Sequence, residues 1–190
     1  MPNTEKGADS PLIGKNNLNV MEYSRLLTCL GDRNKFRVVA RLTPPPQHLL
    51  ANMDPYFDKS TYSKKMNALL VKSENTLITV YNSGIVTMTR LNSDDHGREV
   101  LGDVVAMING VRSMGSSDET TPVSPSRNLI DPMEINEALP HSNCGKCGFK
   151  SCFYFATMLA FEETYLEKCT PLHEDGYASN RETVSSLIGR

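Results

Sequence analysis

Four cysteines spaced Cys144-x2-Cys147-x4-Cys152-x16-Cys169 constrain this chain more than any other feature. Cys144 and Cys147 fit on one tight turn with both sulfurs aimed at one centre. Gly145 and Gly148 allow positive φ there and leave backbone N–H groups close to sulfur. Cys152 opens an apolar run, CFYFATMLAF, over residues 152–161. A single helix from 152 to 169 would part those two sulfurs by about 25 Å at 1.5 Å rise per residue. No metal centre spans that distance. The chain is therefore expected to reverse around FEET (161–164) and return along YLEKC, where Pro171 stops the second segment. The expected unit is a small helical hairpin, sealed by whatever the four thiols bind.

Three occupants compete on spacing. Four cysteines are the normal ligand set of a [4Fe–4S] cluster, and amide hydrogen bonds to cluster sulfur favour its reduced state. A structural Zn²⁺ also takes four cysteines. Zinc sites usually join two C-x2-C knuckles, and this chain has one. A redox-active C-x-x-C pair is the third occupant, but the βαβ context of such pairs is missing.

The stretch LPHSNCGKCGFKSCFYFATMLAFEETYLEKCTPL (139–172) resembles a known family. It is similar to the four-cysteine [4Fe–4S] domain of the corrinoid iron–sulfur protein large subunit and of the B subunit of the Rnf electron-transport complex. The shared pattern is L-P-x-x-N-C-G-x-C-G-x-x-x-C, then an apolar helix with Phe155-Ala156, then C-x-P-L. The resemblance implies that Cys144, Cys147, Cys152 and Cys169 ligate one cluster. It also implies single-electron transfer to or from a protein partner or a larger enzyme complex in anaerobic metabolism, such as a low-potential reductant for a corrinoid or other metalloenzyme. Two departures are visible. Thr170 stands between the last cysteine and Pro171, and FYFATMLAF is bulkier than the usual mid-helix. Neither touches a ligand position. Residues 21–109 look similar to the N-terminal part of uncharacterised iron–sulfur proteins of anaerobic archaea and bacteria, which names no activity.

The rest of the chain reads as an α+β plait of order β-α-β-β-β-α. Residues 1–18 are polar and aperiodic, as in a disordered arm. A helix is expected over 20–30, with Met21, Leu26, Leu27 and Leu30 on one face. Residues 36–43 alternate as a half-buried strand, with Phe36, Val38, Ala40 and Leu42 facing one way. A short helix is expected over 46–53 and a strand over 67–73. A hairpin follows over 76–91, turning through Asn82-Ser83-Gly84 with Gly84 left-handed. That register places Ile78, Val80, Val86 and Met88 together. A helix over 97–113 presents Val100, Val104, Ile108 and Val111, with Asp94 or Asp95 as its cap. The plait domain is thus 19–113, and its open face, with Arg37, Arg41 and Tyr81, is either solvated or a docking surface. Residues 114–130 are rich in Ser, Thr, Pro and Gly and read as a linker. Residues 131–190 form the helical cluster domain. It cannot cover the 152–161 helix alone, so either the plait packs on that helix or a partner does, and a partner contact is the favoured expectation.

The charge balance, 20 basic against 22 acidic residues, gives no electrostatic case for nucleic acid. No apolar run is long enough for a membrane span, and none near the start has the pattern of a secretory signal, so a cytoplasmic protein is expected. Peripheral contact with a membrane complex remains compatible with this. Cys29 reads as a small buried hydrophobe, and His141 and His173 as solvated flanks of the cluster segment. No nucleophile–base set, P-loop or acid pair marks a catalytic centre. The rival to an electron carrier is a metal-stabilised scaffold subunit without redox function.

Overall fold

The computed structural model describes residues 19–24, 27–28, 34–114 and 129–189. The expected arm, most of the expected linker and Cys29 lie outside them. The N-terminal part is an antiparallel sheet followed by helices, an α+β arrangement. Its strands are β1 (Asn19–Tyr23), β2 (Leu27–Thr28), β3 (Phe36–Thr43), β4 (Ser60–Ser63), β5 (Ala68–Ser73), β6 (Thr76–Tyr81) and β7 (Ile85–Leu91). Their spatial order is β1-β3-β7-β6-β5-β4, with β2 also on β3.

The hairpin between β6 and β7 has the expected register, pairing Val80 with Val86 and Ile78 with Met88. Gly84 closes its turn at φ +88°, and a Cβ there would meet the Leu42 carbonyl oxygen at 2.7 Å. The inward faces of β3, β5, β6 and β7 meet helix α1 (Asp94–Met114) through Val100, Leu101, Val104, Ile108 and Val111. Leu50 and Met53 close the end of this core from a 3₁₀ turn (Gln47–Asn52) and the residue after it.

Two local expectations are corrected. The helix expected over 20–30 is a strand where the chain is described: β1 pairs with β3 from Asn19↔Thr43 to Tyr23↔Ala40. Without β1, that edge of β3 would carry unpaired backbone groups, and satisfying them outweighs a weak 3.6-residue pattern. The cap of α1 is Ser93, whose Oγ accepts from His96 N at 3.1 Å. Asp94 and Asp95 sit in the first turn, where carboxylates favour the helix dipole. Strand β4 was not expected from the sequence, because it shows no apolar alternation. Its buried Ser60 and Thr61 donate to the Asp54 and Leu129 carbonyls instead.

The C-terminal part contains α2 (Pro132–Glu137), α3 (Cys152–Ala160) and α4 (Ala178–Ile188). Asp131 caps α2 by accepting from Met133 N at 2.9 Å. The chain does reverse after α3: Glu163 N donates to the Met158 carbonyl across Glu162, at φ +58°. The return leg is not a second α-helix. It runs through 3₁₀ turns at Leu166–Lys168 and Thr170–His173, because Pro171 leaves too few residues for an α-helical ladder.

Most of helix α3 is covered from within the chain, with Phe153 and Tyr154 half-buried. Phe155, Ala156 and Leu159 pack with Ile135, Leu139, Leu172 and Val184 on one side. On the other, Met158 and Phe161 pack against Leu70 and Leu77 of the sheet. The outer sheet face is therefore a seat for α3 over part of its area, so on the Met158 and Phe161 side the cover is the plait, the less favoured of the two expected covers. Two ion pairs, Lys72–Glu163 and Lys65–Glu137, bridge the same junction.

Candidate metal centre

The loop from Ser142 to Ser151 and the start of α3 are fitted to each other. Ser151 caps α3, its Oγ accepting from Tyr154 N at 3.1 Å. Asn143 reaches back across the loop, and its Oδ1 accepts from Cys152 N at 2.8 Å. That bond fastens the residue before Cys144 to the residue that opens the helix. Gly145, between the paired cysteines, and Gly148, just after them, adopt φ +72° and +87°, the left-handed region that the tight turns there use. Phe149 folds over this turn onto Tyr154 and Phe155, with ring centroids 5.4 and 5.7 Å away.

The result is one recess lined by all four thiols: Cys144, Cys147, Cys152 and Cys169. They are graded in exposure. Cys144 is exposed, Cys147 intermediate, and Cys152 and Cys169 are buried. Cys144 and Cys169, at the two ends of this range, are shifted in opposite directions. The backbone N–H of Lys146, then the Ser142 hydroxyl, hold the Cys144 thiol below its ordinary range. Burial pushes the Cys169 thiol up, against a hydrogen bond from the Leu172 backbone. The neighbouring Cys147, Cys152 and Cys144 push it the same way, as like charges around a shared space do.

Four thiols with amide donors beside one of them fit a soft metal or an iron–sulfur group, since thiolates are the ligands such groups select. The recess itself is narrow, about 10 Å³, roughly the room one water needs. Among the described residues, no three Cys, His, Asp or Glu side chains converge as they would on a single ion. Cys144 and the two glycines lie on the exposed side of the loop.

A family model described as "Putative Fe-S cluster" matches residues 139–171. That stretch carries the iron–sulfur family pattern. Three curated proteins show what it is similar to. The acetyl-CoA decarbonylase/synthase complex subunit gamma of Methanocaldococcus jannaschii is 37% identical over 59 residues, which is 31% of this chain and 12% of that protein. An uncharacterized protein of the same organism is 35% identical over 60 residues, 32% of this chain and 27% of its own length. The subunit of the same name in Methanopyrus kandleri is 34% identical over 59 residues, 31% of this chain and 13% of that protein. The chain therefore matches only a minor part of each of these relatives. No solved structure matches it.

Other sequence candidates fall away from the recess. His141 and His173 are exposed and do not line it. His96 accepts from Asn92 N at 3.3 Å, a local contact at the start of α1. Asn143 and Ser151 were not singled out, although both organise the thiol loop. An Asn directly before C-x2-C and a Ser at the start of an apolar run were the available signals. Among the described residues, no helix is long and apolar enough to cross a membrane.

Proposed function

We propose that the protein is an electron carrier. Cys144, Cys147, Cys152 and Cys169 hold one [4Fe–4S] cluster, and the protein exchanges single electrons with a redox protein or enzyme complex. The observation that carries this reading is the gathering of all four thiols around one recess, within the stretch that has the iron–sulfur pattern. Zinc is the weaker occupant because only one C-x2-C knuckle is present. The finer likeness is to the domain of the corrinoid iron–sulfur protein and the Rnf B subunit. The named relatives are subunits of an assembly, which supports a docked rather than solitary carrier.

A bound cluster supplies a one-electron couple; the chain supplies everything around it. Cys152 and Cys169 lie in an apolar cluster with Phe155, Leu159 and Leu172, which keeps water from that side. Lys146 N–H and Ser142 stabilise negative charge on the Cys144 sulfur. Cys144 is the exposed corner and hence the side a partner approaches.

Purification without oxygen tests the reading. About four irons per chain are expected, as for a four-cysteine cubane, with an EPR signal that appears on dithionite reduction. Stoichiometric zinc with no iron after attempted reconstitution overturns it. A cluster that no reductant reaches would leave a structural scaffold in place of a carrier.

A further inference from the structure

Between the outer sheet face and α3 lies a cavity of about 460 Å³, a size typical of small-molecule sites. Its two walls differ in kind. The helix side contributes the aromatic rings of Phe153, Tyr154 and Phe161, and the sheet side contributes a row of threonines that includes Thr79 and Thr87. Two cations line it, Arg37 and Lys150, and no Asp or Glu does. Arg37 Nε is buried without a hydrogen-bond partner among the described residues, a state that folding ordinarily avoids. The ladder is irregular at that point. Register slips between Phe36 and Val38, opposite Arg90 at φ +67°. Such bulges commonly re-aim side chains beside functional sites. Lys150 is exposed and so stands at the rim.

We propose that this cavity binds a small aromatic mono-anion, with its carboxylate on Arg37 and Lys150 and its ring against Phe153, Tyr154 and Phe161. The planar guanidinium fork matches a carboxylate, and an unpaired buried donor is satisfied by it. Aromatic walls set a flat molecule edge-on or offset. Ser151 lines both this cavity and the thiol recess. A ligand here would therefore lie against the wall that carries Cys152. The site does not depend on the electron-carrier reading, because none of its recognition groups is a thiol.

Calorimetric titration of the full chain with naphthoate and with its neutral amide tests the proposal. One site is expected, with naphthoate preferred about tenfold or more, as a charge-assisted hydrogen bond allows. Arg37→Gln should remove that preference while leaving the amide within about twofold. Thr87→Phe, which fills the sheet wall, should remove both ligands with the circular dichroism unchanged. Should Arg37→Gln fail to fold, Lys150→Gln at its exposed position reads the same preference. Equal affinity for the two probes overturns the proposal. So does the absence of naphthoate binding, full preference in the folded cation variant, or binding that survives Thr87→Phe.

Discussion

The sheet and the thiol-bearing segment solve the same problem by different means. The sheet buries its apolar residues through periodicity. Val38, Ala40 and Leu42 alternate inward on β3, and the stripe on α1 meets them. Nothing in that core needs a cofactor. The thiol-bearing segment has one nine-residue helix, a string of 3₁₀ turns and a loop tied down by Asn143 and Ser151. Two of its four cysteines are buried as free thiols. A segment of this size buries too little surface to be robust alone. It makes up the deficit twice, by leaning α3 on the sheet and, in our reading, by holding a metal group whose binding energy is folding energy.

The largest effect should come from the thiols. Replacing Cys152 or Cys169 by Ala should reduce iron per chain from about four to near zero. Hydrogen exchange should then speed across 142–173 while β5, β6 and β7 keep their protection. Retention of full iron in either variant would detach that cysteine from the ligand set. Equal loss of protection in both regions would mean that they unfold as one unit.

Next in size is the contact that joins the two regions. Phe161 is 1% exposed and packs with Met158, Leu70 and Leu77. Phe161→Ala should lower unfolding free energy by about 3–5 kcal/mol, the usual range for a buried Phe. The loss should be read in denaturant melts of protein with its metal content matched to wild type. A loss under about 1 kcal/mol, well below that range, would mean that the sheet is not what buries α3.

Legibility divides along the same line. The β6–β7 hairpin, the stripe on α1 and the reversal after α3 are written in local periodicity, in Gly84, and in the ligand spacing. The first strand is not local. Met21, Leu26, Leu27 and Leu30 fit a helix, and only the vacant edge of β3, distant in sequence, decides otherwise. The polar strand Ser60–Ser63 has no apolar signature at all. Its hydroxyls bond carbonyls at Asp54 and Leu129 that sequence does not place nearby. The four cysteines were legible as a set because metal chemistry restricts their spacing. The cover on α3 was not, because a helix apolar all round does not say which neighbour covers it.

Two glycines sharpen the contrast further. Gly84 and Gly148 have almost the same φ, +88° and +87°. A Cβ on Gly84 would collide with the Leu42 carbonyl oxygen at 2.7 Å, whereas one on Gly148 meets nothing within 4 Å. Gly148→Ala should therefore cost only the left-handed penalty, roughly 1–2 kcal/mol. Gly84→Ala should cost clearly more, because backbone must shift as well. Thermal melts of the two variants give the comparison directly, and equal costs would show that the sheet turn yields as easily as the thiol loop.

The smallest effect belongs to the ion pair at the junction. Lys72 Nζ lies 2.6 Å from Glu163 Oε1, with side chains 9% and 32% exposed. The hydrogen bond from Lys72 holds the Glu163 carboxyl below its ordinary range, against a desolvation penalty, and the charges of Lys72, Lys59 and Arg90 add to it. A carboxyl depressed in the folded state stabilises above its unfolded pKa, about 4.3. That stabilisation disappears as pH falls through the lower folded value. Wild type should exceed Glu163→Gln by up to about 1 kcal/mol near neutral pH, the scale of a partly exposed pair. The gap should be constant from neutral pH to about 5 and should close below about 4, as the unfolded and then the folded carboxyl protonates. Urea melts of both proteins across that range measure it. Parallel curves throughout would mean that Lys72 and Glu163 contribute packing at the junction but no net charge stabilisation.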